Sequence, residues 1–206
     1  TVALPEGAPL SISITAFGEP FARVTRAGAV SGDDIWVTGY LGLAGAALTL
    51  KKAGKAIPDA LLERLIRPEA RLALGQKIAD RVSAACDVSD GFISDLNHIL
   101  LASGVGARLD FASFPVHREL QNQEGELGTF GIERAILAGG DDYELVFCAA
   151  PQYREAFKAL STAAIPVTRV GVVTREPGLE ILHLSAETQN ALDSLKGYEH
   201  RVSLHA

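Results

Sequence analysis

The stretch Cys86-Asp-Val-Ser-Asp-Gly-Phe-Ile-Ser-Asp-Leu96 places three carboxylates, Asp87, Asp90 and Asp95, within nine positions. If a helix starts near Gly91, Asp87 lies at the end of the preceding strand, Ser89 and Asp90 fall in the capping region, and Asp95 sits just past the first turn. A helix N-terminus favours negative charge, since its first amides are unpaired and its dipole points positive end outward, but one or two side chains saturate that demand. A bound cation accounts for the surplus. Hard divalent ions such as magnesium take oxygen ligands, commonly one or two carboxylates together with phosphate oxygens and water. Asp87 and Asp90 suit that role, and the Ser89 hydroxyl beside free helix amides suits a phosphate. Plain capping by Ser89 or Asp90 fits the same spacing, so spacing alone leaves both accounts open.

A second acidic group follows in Gly139-Gly-Asp-Asp-Tyr-Glu-Leu145. The glycines predict a sharp turn, with Asp141, Asp142 and Glu144 at a strand start. Either Asp141 or Asp142 closes an Asx-turn while Glu144 faces water, or Glu144 holds a cationic or hydrogen-bonding ligand at the strand end. Arg26 is placed for a bidentate phosphate contact or for plain solvation. Tyr198 covers a core edge or stacks on a ring. The five histidines show no HxxxH or HExxH spacing, so no zinc site is expected, and no serine stands in a G-x-S-x-G elbow. Cys86 and Cys148 read as buried thiols among apolar neighbours.

These groups need elements to position them. Leu10–Thr15 alternates with period two and reads as a strand, as do 35–39, 107–111, 143–149 and the strand pair 167–173 and 179–182. Helices are expected over 41–53, over 58–82 with a break at Arg67-Pro68, over 91–102 with Gly104 as its stop, around 132–137, and over 151–160. Residues 121–131, with three glycines, read as a surface loop. No phosphate-binding GxGxxG or GxxxxGK[ST] occurs, and the elements lack a regular βαβ beat. The fold class is therefore α+β, one mixed sheet flanked by helices. With 206 residues, 48% of them hydrophobic, the chain can bury one good core or two small ones. A net charge of -6 argues against a broad electrostatic grip on nucleic acid or an anionic membrane. Without a run of eighteen apolar residues or a signal-like start, the chain reads as soluble and cytoplasmic.

In order along the chain, "APLSISITAFGEP", "RAGAVSGDDIWVTGYLG", "CDVSDGFISDLNHILLASGVGARLD", "GGDDYELVF" and "GYEH" resemble the thiamine-monophosphate kinase family, within the aminoimidazole ribonucleotide synthetase superfamily. The resemblance implies ATP-dependent phosphorylation of thiamine monophosphate to thiamine diphosphate with Mg2+. It implies Asp87 and Asp90 as metal ligands, Ser89 as an ATP contact, Arg26 as a phosphate contact, and Glu144 and Tyr198 as contacts to the thiamine moiety. Asp95 is left to local structure. The family usually reads TGTLGDA where this sequence has Thr38-Gly-Tyr-Leu-Gly-Leu-Ala44, so Tyr40 and Leu43 replace a small hydroxyl residue and an acid. Family members also carry an N-terminal domain with its own acidic metal-binding motifs, through which the intact protein is expected to dimerise. Residues 1–206 are thus expected to be the C-terminal domain, nearly inactive alone, because phosphoryl transfer needs charge neutralised from several directions. A sibling ATP-dependent enzyme and a non-catalytic ligand-binding module are the competing readings.

Overall fold

Every residue of strand β1, Asp34–Thr38, is buried. Side chains alternate across a strand, so a fully buried one must be covered on both faces. Ile35 and Val37 enter one apolar cluster, whereas Trp36 enters a second with Ile78, Phe147 and Phe157. Trp36 stacks on Phe147 at a centroid distance of 6.3 Å, and Phe157 meets it edge-on at 5.5 Å. The chain, in this computed structural model, is described over residues 12–15, 17–19 and 22–195.

Around β1 the remaining strands are β2 (Ala84–Val88), β3 (Gly106–Asp110), β4 (Glu144–Ala149), β5 (Val167–Thr174) and β6 (Leu179–Leu182). They form one six-stranded sheet in the order β2-β4-β1-β5-β3-β6, antiparallel except for the parallel pair of β3 and β6. Helices α1 (Leu43–Lys52), α2 (Asp59–Ile66), α4 (Phe92–Ser103) and α6 (Glu124–Ala138) supply the larger cluster. On the other face lie α3 (Leu72–Ile78) and α7 (Arg154–Lys158). Short α5 (Arg118–Gln121) and α8 (Ala186–Ala191) complete the fold. This is the expected mixed sheet flanked by helices. The breaks also fall where the sequence puts them: α2 ends before Pro68, and α4 stops at Gly104 with a left-handed φ of 68°. Among the described residues no helix is long and apolar enough to cross a membrane.

Three expectations are corrected. Residues 12–15 form no strand, and Ile12 and Ile14 are 75% and 87% exposed. Alternation makes a strand only where a partner strand is available, and no described strand pairs with these residues; Leu10 and Ser11 lie outside the described ones. The stretch 121–131 is not a loop but runs through α5 into α6. Its glycines are absorbed by a kink at Gly128, φ 68°, while Leu120 buries fully and Leu127 packs on the main core. Finally, β5 and β6 do not pair with each other, since β3 lies between them.

Candidate functional site

Strand β2 ends on Val88, and the chain must turn sharply to enter α4. Asp95, buried in the first turn of that helix, accepts hydrogen bonds from the amides of Ser89 (2.9 Å) and Asp90 (3.0 Å) through one carboxylate oxygen. It therefore serves local structure. Burial pushes its carboxyl above the usual range, the two amides pull it down, and the neighbouring charges of Asp90 and Asp87 push it up again. No side chain caps the helix; Gly91 occupies the cap at φ 118°, and a Cβ there would lie 3.0 Å from the backbone of Ala138. Capping by Ser89 or Asp90 is thus not what this turn uses.

The second acidic loop docks on the first. The Asp141 amide donates to the Ser89 carbonyl and the Tyr143 amide to the Val88 carbonyl, each at 2.8 Å. Gly140 permits the approach: at φ 68°, an added Cβ would sit 2.8 Å from the Ser89 carbonyl oxygen. Asp141 and Tyr143 also have positive φ, 58° and 51°. Aspartate tolerates that region, but a tyrosine there is rare and holds about 1–2 kcal/mol of local strain. Such strain persists where surrounding contacts over-determine it, commonly at functional sites.

The interlocked loops enclose a cavity of about 440 Å³ lined by Leu48, Ser89, Asp90, Gly139, Gly140, Asp141 and Tyr143. Neither Asp90 nor Asp141 has a cationic partner among the described residues. Asp87, exposed on β2, touches the Cys86 thiol at 3.8 Å and opens onto an adjoining cavity. Tyr143 lines both cavities. Its phenol is pushed up by burial and then by the charges of Asp141, Asp87 and Asp90. Arg26 comes from a segment that covers the β2 edge, where the Ala85 amide donates to the Thr25 carbonyl at 3.0 Å. Its guanidinium is held above its ordinary value by the Cys86 sulfur first, then by Asp87 and Asp95. The fold thus brings Ser89, Asp90, Asp87 and Arg26 to one end of the sheet. The acids Asp87, Asp90 and Asp141 with the Ser89 hydroxyl offer only oxygen, and none of the three acids makes an ion pair among the described residues, which fits a hard divalent cation with phosphate oxygens completing its coordination. No group of three His, Cys, Asp or Glu able to hold a metal by itself occurs among the described residues.

Residues 30–183 match the family described as AIR synthase related protein, C-terminal domain. The chain belongs to that family. It is 37% identical over 201 residues to thiamine-monophosphate kinase of Escherichia coli K12, covering 93% of this chain and 60% of the relative. Against the enzyme of the same name from Rhodopirellula baltica it is 38% identical over 173 residues, 83% of this chain and 49% of the relative. The crystal structure of thiamine-monophosphate kinase from Stenotrophomonas maltophilia K279a superposes with a TM-score of 0.71 at 38% identity, covering 79% of this chain and 54% of that one. A structure titled AaThiL complexed with AMPPCP and TMP gives 0.69 at 30% identity, with 86% and 54% covered. The chain therefore spans about half to three fifths of these relatives' length. The fold alone extends to hydrogenase maturation protein HypE of E. coli, at 19% identity and a TM-score of 0.61.

Against this family background, Glu144 departs from its expected place. It is fully buried, with Arg71 bidentate on it at 2.7 and 2.6 Å, Arg64 at 3.1 Å, and the Thr38 hydroxyl donating at 2.7 Å. Both oxygens are occupied, so the side chain neither faces water nor reaches either cavity. Gly39 exists for it: a Cβ there would lie 2.0 Å from the carboxylate. Asp142 is likewise no Asx-turn residue; both its oxygens accept from the Gly42 amide at 3.0 Å, at the start of α1. Burial pushes its carboxyl up to about 8, against the pull of that amide. Tyr40 donates to the Ala163 carbonyl and stands edge-on to His117, and Leu43 is buried in α1, so both departures lie away from the acid cavity. Tyr198 lies outside the described residues. Asp141, which the sequence offered only as a turn residue, and Tyr143, which it did not single out, both line the cavity, and the adjacent Gly139-Gly140 pair was the available signal.

Proposed function

We propose that this chain is the C-terminal part of a thiamine-monophosphate kinase, and that its acid-lined cavity takes the magnesium-bound phosphates of ATP and thiamine monophosphate. The observation that carries the reading is the interlocking of the two acidic loops, in which the Asp141 and Tyr143 amides donate to the Ser89 and Val88 carbonyls and Asp90 and Asp141 are left lining one cavity without a cationic partner among the described residues. Asp87 and Asp90 would hold Mg2+, which when bound neutralises charge on the phosphates and so eases their approach. The Ser89 hydroxyl binds a nucleotide phosphate oxygen, and Arg26 a further phosphate. In the net reaction an oxygen of the thiamine monophosphate phosphate attacks the γ-phosphorus of ATP, the bond to the β-phosphate oxygen breaks, and ADP leaves. Glu144 supports the site from beneath by fixing α2, α3 and β4 together, and Tyr198 remains the aromatic partner implied for the thiamine moiety. The active protein is cytoplasmic, and it is a homodimer through a further domain whose acids complete the metal site.

The test is thiamine diphosphate formation from thiamine monophosphate, ATP and Mg2+ by the complete gene product containing residues 1–206. Wild type should turn over, and Asp90→Asn should lose about 10²-fold or more. No turnover of thiamine monophosphate, with turnover of an aminoimidazole precursor, overturns the assignment.

A further inference from the structure

Helices α1 and α6 both pack on the main core, and between them lies a groove that the reaction described above does not use. At one end the two meet through glycines: a Cβ on Gly45, near the start of α1, would lie 2.6 Å from the Cα of Gly139, which follows α6. At the other end Lys55, just past α1, pairs with Glu126, in the first turn of α6, at 3.0 Å. The helices therefore run antiparallel, with the groove closed at both ends. It encloses about 460 Å³ and meets the acid cavity at Leu48 and Gly139. Leu48, Leu127 and the half-buried ring of Phe130 wall it, and Gly131 puts no side chain into the space.

The charge of this groove is the reverse of its neighbour's. Lys52 from α1 and Arg134 from α6 line it from opposite walls, and neither has an ion-pair partner among the described residues. Glu126 also lines it but is spent on Lys55, and the Thr49 hydroxyl donates to the Gly45 carbonyl at 2.9 Å. Lys52 stands in the last turn of α1, where a cation suits the helix dipole; Arg134 lies outside the last turn of α6 and has no such role. Two cations facing each other across an apolar trough of this size have a definite complement. A phosphate monoester carries about -1.5 to -2 charge at neutral pH and accepts an arginine fork, and a flat ring beside it can pack on Phe130. We propose that the α1–α6 groove binds a phosphate monoester bearing a flat ring, without a metal, its phosphate held by Lys52 and Arg134 and its ring by Phe130 and Leu127. A carboxylate would match only one of the two cations, and an uncharged ring neither. The site does not depend on the kinase reading, whose phosphates enter the acid cavity with Mg2+.

That difference in metal requirement gives the test. Calorimetry on the complete gene product containing residues 1–206, in EDTA, uses AMP, adenosine and inorganic phosphate as probes. AMP should bind without metal, and adenosine and inorganic phosphate, each lacking one half of the complement, should bind about tenfold or more weakly. Arg134→Glu replaces attraction with repulsion at an exposed position and is expected to weaken AMP about tenfold or more. Phe130→Ala should cost about threefold or more. Raising the salt from about 0.05 to about 0.5 M should weaken AMP severalfold, since the groove is open to water. If Arg134→Glu lowers the thermal midpoint, Lys52→Glu, on the opposite wall, replaces it. AMP binding that is absent in EDTA, matched by adenosine or by inorganic phosphate, or unchanged in both charge-reversed variants overturns the site.

Discussion

Asp141 and Glu144 stand three residues apart, yet the fold treats them oppositely. Glu144 is fully buried and enclosed by Arg71, Arg64 and Thr38. Asp141 lines an open cavity with Asp90 and has no cationic partner among the described residues. A carboxylate taken out of water must be paired to be tolerated, whereas one left at a cavity keeps its capacity to bind something else. The contrast separates acids that the fold consumes (Asp34, Asp95, Asp142, Glu144) from acids it leaves open, the proposed binding acids Asp87, Asp90 and Asp141, on physical grounds and without regard to their position in a motif.

The sharpest way to break that contrast is Glu144→Ala. It strands the buried Arg71 guanidinium, and chemical denaturation should show a loss of about 3–5 kcal/mol. Asp34 gives a smaller case. Its two arginines, Arg154 and Arg169, are 43% and 41% exposed, so water replaces part of what Asp34→Asn removes, and about 1–2 kcal/mol is expected. Its pH dependence has a fixed sign. Burial pushes the Asp34 carboxyl up, but the two arginines outweigh it and hold the group below its ordinary value. The unfolded state therefore binds the proton more readily, and the contribution is present above about pH 4 and lost as pH falls through the depressed value. Denaturation curves from pH 6 to 2 should be steeper for wild type than for Asp34→Asn.

The binding acids should behave the other way. Magnesium at ten times its dissociation constant should stabilise wild type by about 1.4 kcal/mol in thermal scans, and Asp87→Asn with Asp90→Asn should erase that gain. Without metal, Asp90→Asn alone should shift stability by no more than about 0.5 kcal/mol. A loss comparable to that of Glu144→Ala would place Asp90 among the structural acids and end the comparison.

Local patterns carried much of the fold because their causes are local. The Pro68 break, the Gly104 stop and the short apolar run Ile35-Trp36-Val37 each act within a few residues. The same rules misled where a distant partner decides. Ile12 and Ile14 alternate without a described strand to pair with, and the glycines near Gly128 sit in a helix because Leu120 and Leu127 have a core to enter. At the site, Asp95 is left to local structure through the family resemblance, which gives the metal to Asp87 and Asp90, and its bonds to the Ser89 and Asp90 amides supply the physical reason. Tyr143 was not legible in the sequence, since its strained backbone follows from the docking of one loop on another.

The sequence by itself determined that acids crowd two glycine-bearing turns beside a helix start and a strand start, with no built-in cation in either motif. Tertiary structure alone decided which of those acids remain available. Glu144 meets Arg71 across 73 residues of chain and Asp142 meets the Gly42 amide across 100. The reason is physical: a carboxylate's charge is local, but whether it is spent on the protein or kept for a ligand depends on which groups the folded chain brings within hydrogen-bond reach.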